Sequence, residues 1–220
     1  MKKYGILLQG KISEWTKDII KEYQMNFPDA DILVSTWDNE DTSMIPCRVI
    51  KTKPPELSGI HSSTVDFQII GTQKGLQNIN AEIIMKCRTD QFIHNKHIFL
   101  IYEKFCGKEK IMVPDQGTST LDDYRVSDFC QVASKKKIEE FWNSTPLSNP
   151  KKPISPEIYL VKYFIKTIKN DNRPWPTIVR EYFCIKDYDT DFKIEWEKRV
   201  KLDTYQNTFQ KRKKNWNVKD

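Results

Sequence analysis

Apolar and polar positions change in blocks along the first half of the chain. Tyr4–Leu8 is a short apolar run that stops at Gln9-Gly10, the pattern of a buried strand running into a tight loop. Ser13 is placed to cap a helix in which Trp15, Ile19, Ile20 and Tyr23 share one face, and Phe27-Pro28-Asp29 ends it. Ile32-Leu33-Val34 is a second buried run, followed by polar Ser35-Thr36 and Trp37. Strand, helix, strand makes a βαβ unit with a right-handed crossover. Arg48–Ile50 and Ile83–Met85 predict two more strands, and Ser62–Leu76 a helix between them.

The second half is less regular. Ile98–Phe105 reads as a helix, Ile111–Val113 as a strand, Gln116–Asp123 as a loop and Val126–Ala133 as a strand. A helix opens at Ile138–Trp142. Thr145–Pro156 is a Pro/Ser/Lys-rich linker, and Pro156–Ile168 is amphipathic with helical spacing. Arg173-Pro174-Trp175-Pro176 is a stiff break, and Ile178–Ile185 predicts a last strand. The expected class is α/β: a nucleotide-binding βαβ half with a mostly parallel central sheet, then a mixed α/β half.

Composition narrows the picture. With 220 residues, one domain is expected over 1–200 and a basic tail over 201–220. Aromatics at 12% argue for a packed core. The chain carries +6 overall, but residues 200–220 hold six basic residues against two acids. The body is therefore nearly balanced, which speaks against a nucleic-acid footprint. The tail run Lys211–Lys214 suits contact with an anionic membrane, or else plain solvation. No apolar run approaches a bilayer span, and Met1-Lys2-Lys3 leads into too short a core for a signal peptide, so a cytoplasmic chain is expected, membrane-peripheral at most. The five cysteines lack metal spacing and sit beside apolar residues, so free thiols are expected.

In an open parallel sheet, ligands collect at the carboxyl ends of the strands. Those ends here are Gln9-Gly10, Ser35-Thr36-Trp37, Lys86–Asp90 and Pro114-Asp115. Gln9 and Trp37 suit the edge and face of a base. Neither GxGxxG nor a P-loop is present. Asp90, just past a strand, is placed to hold a divalent ion against a diphosphate, while Lys86 and Arg88 are placed to meet phosphate oxygens. A strand-end aspartate capping its own turn is the plainer alternative.

Several stretches, taken in order, resemble the WavE-type lipopolysaccharide-synthesis proteins. Phe27-Pro28-x-Ala30 with Ile32–Trp37 is similar to that family's FP-x-A-x-I-x-x-STW. Asp66-Phe67-Gln68-Ile69, Thr72 and Gly75-Leu76 are similar to its N-R-Q-I-x-S-T-x-x-GL helix. Lys86-x-Arg88-Thr89-Asp90 is similar to K-x-R-[ST]-D, Val126–Phe129 to I-S-D-W, and Pro156–Leu160 to PE-x-Y-L. The resemblance runs over residues 4–165 and stops there.

It implies a GT-A-like fold and a glycosyltransferase. Such an enzyme moves a sugar from a nucleoside diphosphate sugar to a hydroxyl of a glycan, such as a lipopolysaccharide. The donor-site residues it implies are Gln9, Gly10, Thr36, Trp37, Gln68, Thr72, Lys86, Arg88 and Asp90. The cofactor it implies is Mn²⁺ or Mg²⁺ on Asp90, although Arg88 stands where the Asp-x-Asp of GT-A enzymes has its first acid. For an inverting transfer, Asp128 is the expected base and Glu157 the second candidate. A noncatalytic nucleotide- or glycan-binding module of the same fold is the alternative.

Overall fold

The computed structural model describes residues 1–56, 64–148 and 155–201. The first half is regular, as the blocks predict. Lys2–Gln9 (β1) leads through the helix Thr16–Asn26 (α1) to Asp31–Trp37 (β2) and Arg48–Thr52 (β3). The helix Val65–Asn78 (α2) then returns the chain to Ala81–Arg88 (β4), on the far side of β1. These four strands are parallel. Gln9 is therefore flanked by Ser35 on one side and Arg88 on the other.

The second half begins with the short strand Gln91–Ile93 (β5) and the helix Ile98–Phe105 (α3). Ile111–Pro114 (β6), Gln131–Ser134 (β7) and the helix Lys135–Asn143 (α4) follow. The helix Pro156–Tyr163 (α5) runs on into a wide π-type turn over Phe164–Ile168. Trp175–Tyr182 (α6), Phe183–Lys186 (β8), Ile194–Trp196 (β9) and Glu197–Lys201 (α7) complete the described chain. The large sheet has the order β3-β2-β1-β4-β7-β6-β8, with β7 antiparallel to both of its neighbours. β5 and β9 pair separately as a two-stranded antiparallel sheet.

Alternate side chains of β1, β2 and β4 feed two cores. Leu7, Leu33 and Ile84 face a layer that includes α2, α4, α5 and α6. Ile6, Leu8, Val34 and Met85 face α1 and α3. Each strand is apolar on both sides, as a parallel sheet covered on both faces requires. Two glycines let α2 lie close on this sheet. A Cβ on Gly75 would stand 2.3 Å from Leu7 Cδ1, and one on Gly71 would stand 2.8 Å from Gln9 Cγ.

The structure corrects four expectations. Ile178–Ile185 is not one strand: α6 occupies Trp175–Tyr182, and β8 begins only at Phe183. Pro176 falls in the first helical turn, where its missing N–H costs nothing, and buried Trp175, Ile178 and Val179 share a helical face. Val126–Ala133 is strand only from Gln131, so Asp128 lies in irregular chain. There the hydroxyls of Thr118 and Ser127 bond the N–H groups of Ser127 and Phe129, which competes with the ladder. Ser13 does not cap α1; its N–H bonds the Thr16 hydroxyl in a turn ahead of the helix. Finally, Cys106 and Cys184 form a disulfide; Cys47, Cys87 and Cys130 are free. The two lie at the end of α3 and in β8, too far apart in sequence for spacing to pair them.

The start of the predicted helix at Ser62, the middle of the 145–156 linker and the tail beyond residue 201 lie outside the described residues. Among the described residues no helix is long and apolar enough to cross a membrane.

Candidate active site

The carboxyl ends of β1, β2 and β4 open into a cavity of about 700 Å³. That is within the usual range for small-molecule sites, ~300–1,000 Å³. Gly10 turns the chain out of β1 with φ +139°, a conformation open to glycine, and a Cβ there would meet the Thr89 hydroxyl at 2.9 Å. The loop so formed is tied down, since Thr89 Oγ1 donates to the Lys11 carbonyl and Thr16 Oγ1 donates to that of Thr89. Gln9 is fixed by Nε2 donating to the Phe67 carbonyl at 3.3 Å. Trp37 packs edge-on against Phe67 with ring centroids 5.1 Å apart.

Arg88 and Asp90 face the same cavity. Arg88 Nε donates to Asp90 Oδ1 at 2.8 Å, and Arg88 NH2 donates to Oδ2 at 2.9 Å. Trp196 Nε1 also donates to Oδ2, at 3.1 Å. Burial works against the Asp90 charge, but the Arg88 hydrogen bonds and charge outweigh it and hold the carboxyl below its usual range. β9 sets Trp196 against Asp90, and the next turn delivers Glu197, Lys198 and Lys201 to the cavity wall. Lys201 Nζ bonds Glu197 Oε1 at 2.7 Å. Burial, and then the nearness of Arg88, push the Lys198 ammonium down.

A second polar group lies behind this wall. Gln68 lines the cavity, and its Nε2 donates to Asp128 Oδ2 at 2.6 Å. Lys86 is fully buried; its Nζ donates to the Asp128 carbonyl at 3.3 Å and stands 4.8 Å from the Trp142 ring centroid. Burial pushes Lys86 down to about 8, against the pull of the Asp128 charge. Ser155 Oγ donates to the Glu157 carboxylate. Glu157 is pushed up, first by burial and then by Asp128.

Of the residues singled out in the sequence, Gln9, Gly10, Trp37, Gln68, Arg88 and Asp90 line the cavity. Lys86 and Asp128 are buried behind it, and Glu157 stands near Asp128. Thr36 and Thr72 are buried, and neither hydroxyl finds a partner among the described residues. They are not in the cavity wall. Sequence reasoning missed Lys11, Phe67 and the whole contribution of 196–201. The only signal there was the alternation Ile194-Glu195-Trp196, too short to read as a strand. Trp175 is core, its Nε1 donating to the Ser119 carbonyl at 2.7 Å.

As a divalent-ion site, the surroundings of Asp90 do not fit. Both carboxylate oxygens already accept from Arg88, one of them from Trp196 as well. Among the described residues no three His, Cys, Asp or Glu side chains cluster in a way that could hold a metal ion.

Residues 8–116 match the family model described as WavE lipopolysaccharide synthesis, which bears out the resemblance over that stretch. The motifs at 126–129 and 156–160 fall beyond it. No curated protein matches the chain by sequence. Among solved structures, 4-diphosphocytidyl-2C-methyl-D-erythritol synthase from Anaerococcus prevotii is similar at TM-score 0.55 and 11% identity, over 95% of this chain and 99% of that one. A glycosyltransferase involved in glycosylating the major capsid of PBCV-1 is similar at TM-score 0.46 and 13% identity, over 86% and 83%. The galactosyltransferase LgtC follows at 0.45 and 9%, over 84% and 73%. At 11% identity the likeness to the first of these speaks for the fold alone, and the sheet itself is α/β and mostly parallel, as expected.

Proposed function

We propose that the chain is a glycosyltransferase of lipopolysaccharide or a related surface glycan, using a nucleoside diphosphate sugar as donor. The observation that carries the reading is the cavity where β1, β2 and β4 end, edged by Lys11 and Arg88 from the stretch that matches a lipopolysaccharide-synthesis family and by Lys198 from beyond it. Gln9 offers an amide to a base edge, and Trp37 and Phe67 offer apolar surface to its face. The cations meet the diphosphate, whose leaving-group charge grows as the sugar departs.

In an inverting transfer, the acceptor oxygen attacks C1 of the sugar and its proton passes to a carboxylate. The C1–O bond to the diphosphate breaks, and its electron pair leaves with the phosphate. Asp128 is the proposed proton acceptor, oriented by Gln68 and anchored through its carbonyl by Lys86. Glu157 beside it is the second candidate, since a raised carboxyl is a stronger base.

One observation favours the rival reading of a noncatalytic binding module. Both candidate bases stand behind the cavity wall, with Gln68 in front. Release of free sugar or its transfer to a glycan, measured from a panel of nucleotide sugars, decides between the two. Nucleotide binding with no turnover on any donor makes the chain a module.

A further inference from the structure

If the cavity takes the nucleoside diphosphate sugar proposed above, its wall must hold the diphosphate. A divalent ion takes six or more oxygen ligands, and protein carboxylates that serve it must present unshared oxygens. The Asp90 carboxylate has its edge covered by the Arg88 guanidinium and a third donor from Trp196. To admit an ion there, Arg88 would have to leave, giving up two charge-assisted hydrogen bonds of the bidentate kind.

The wall carries its own compensation. Both of its acids are answered in place, Asp90 by Arg88 and Glu197 by Lys201. Two further lysines remain. Lys11 follows the Gly10 turn, and Lys198 sits on the first turn of α7, about 6.0 Å from the Trp196 ring centroid. Lys198 is crowded by Arg88, a like charge that an anion between them would relieve.

We infer that the cavity binds the diphosphate through Lys198 and Lys11, beside an Arg88 held in place by Asp90, with no divalent ion at Asp90. Asp90 is then a positioning residue. Lys201 is taken up by Glu197 and by Glu14 outside the wall, which leaves Lys11 and Lys198 as the lysines that face the phosphates. Lys198 lies beyond both the matched family stretch and the sequence motifs, so this assigns a donor-site role to the last described helix.

The test is calorimetric titration of UDP, GDP, CDP and ADP into the whole chain, once with chelator and once with Mn²⁺ or Mg²⁺. The nucleotide that binds should do so with affinities within about threefold in the two conditions. Lys198→Ala, with folding checked by thermal melting, should weaken it by roughly 10- to 100-fold, the loss of a hydrogen bond to a charged group. Asp90→Asn should keep binding indifferent to the metal. Binding that appears only with metal and is lost in Asp90→Asn overturns the inference and leaves the transferase reading intact. So does a Lys198→Ala variant that binds like the wild type. If none of the four nucleotides binds in either condition, the donor reading falls, and this inference with it.

Discussion

Gly75 of α2 and Leu7 of β1 approach so closely that a methyl group on Gly75 would lie 2.3 Å from Leu7 Cδ1 and 2.7 Å from Cδ2. Leu7 is fully buried between strands and has nowhere to retreat. Gly75→Ala should therefore destabilise the fold by ~1–3 kcal/mol, the usual range for overpacking, despite the better helix propensity of alanine. Denaturant unfolding measures it. Gly71→Ala meets the Gln9 side chain from Cγ to Nε2, whose one hold among the described residues is the 3.3 Å bond to the Phe67 carbonyl. Its stability loss should be smaller, and its main effect should be weaker nucleotide binding as Gln9 is displaced.

Lys86 predicts a dependence of stability on pH. Its folded-state value, about 8, lies below the ordinary 10.5. Between those values the folded chain has released a proton that the unfolded chain still holds, so this group's contribution to stability rises with pH. Buried Cys87 and Cys130, both pushed up, act the other way. The difference between wild type and Lys86→Met isolates the lysine. It should shift in favour of wild type by up to ~2 kcal/mol from pH 7.5 to 9.5, at ~1.4 kcal/mol per unit. A difference that stays flat across that range shows that Lys86 keeps its proton throughout.

The Cys106–Cys184 link closes a loop of 78 residues in sequence. Loop entropy alone makes this worth ~4–5 kcal/mol, before any loss from native strain. Thiol titration of the denatured, unreduced chain should find three groups, rising to five after reduction. The reduced protein should melt at a lower temperature. Five thiols before reduction would show that the bond is absent.

Removal of the proposed base should separate binding from turnover. Asp128→Asn should leave nucleotide affinity unchanged and lower kcat by ~10²–10⁴. Because the Asp128 charge is one cause of the raised Glu157, carboxyl NMR should find Glu157 titrating lower in that variant. If Glu157→Gln is the inactive variant and Asp128→Asn is active, the roles exchange. If both are active, the transfer is retaining or its base lies elsewhere, and the anomeric configuration of the product distinguishes the two.

The parallel half was legible because its strands are buried on both faces and its helices are amphipathic. Tyr4–Leu8, Ile32–Val34 and Ile83–Met85 could scarcely be anything else. Their polar ends, Gln9, Trp37 and Arg88–Asp90, then fell together by topology alone. The Arg88–Asp90 clasp was not legible, since residues two apart meet only when the chain turns at a strand end. The floor at Asp128 was misread because an apolar run containing hydroxyls spends its N–H groups on side chains. The wall at 197–201 was hidden because β9, which leads into it, owes its existence to β5, about a hundred residues earlier. No local periodicity carries such a pairing.

The β5–β9 pairing also sets a timetable. Once the chain has been synthesised past Asp90, the strands β1, β2 and β4 are all available to associate. The cavity still lacks one side until Trp196–Lys201 arrives. At ~5–20 residues per second, that delay is on the order of 5–20 s. During it the nascent protein holds an open, half-built cleft with Arg88 and Asp90 already present and Trp196 missing. A ribosome halted near residue 190 would thus carry a chain that holds the strands β1, β2 and β4 but lacks the residues that close this side of the proposed donor cleft.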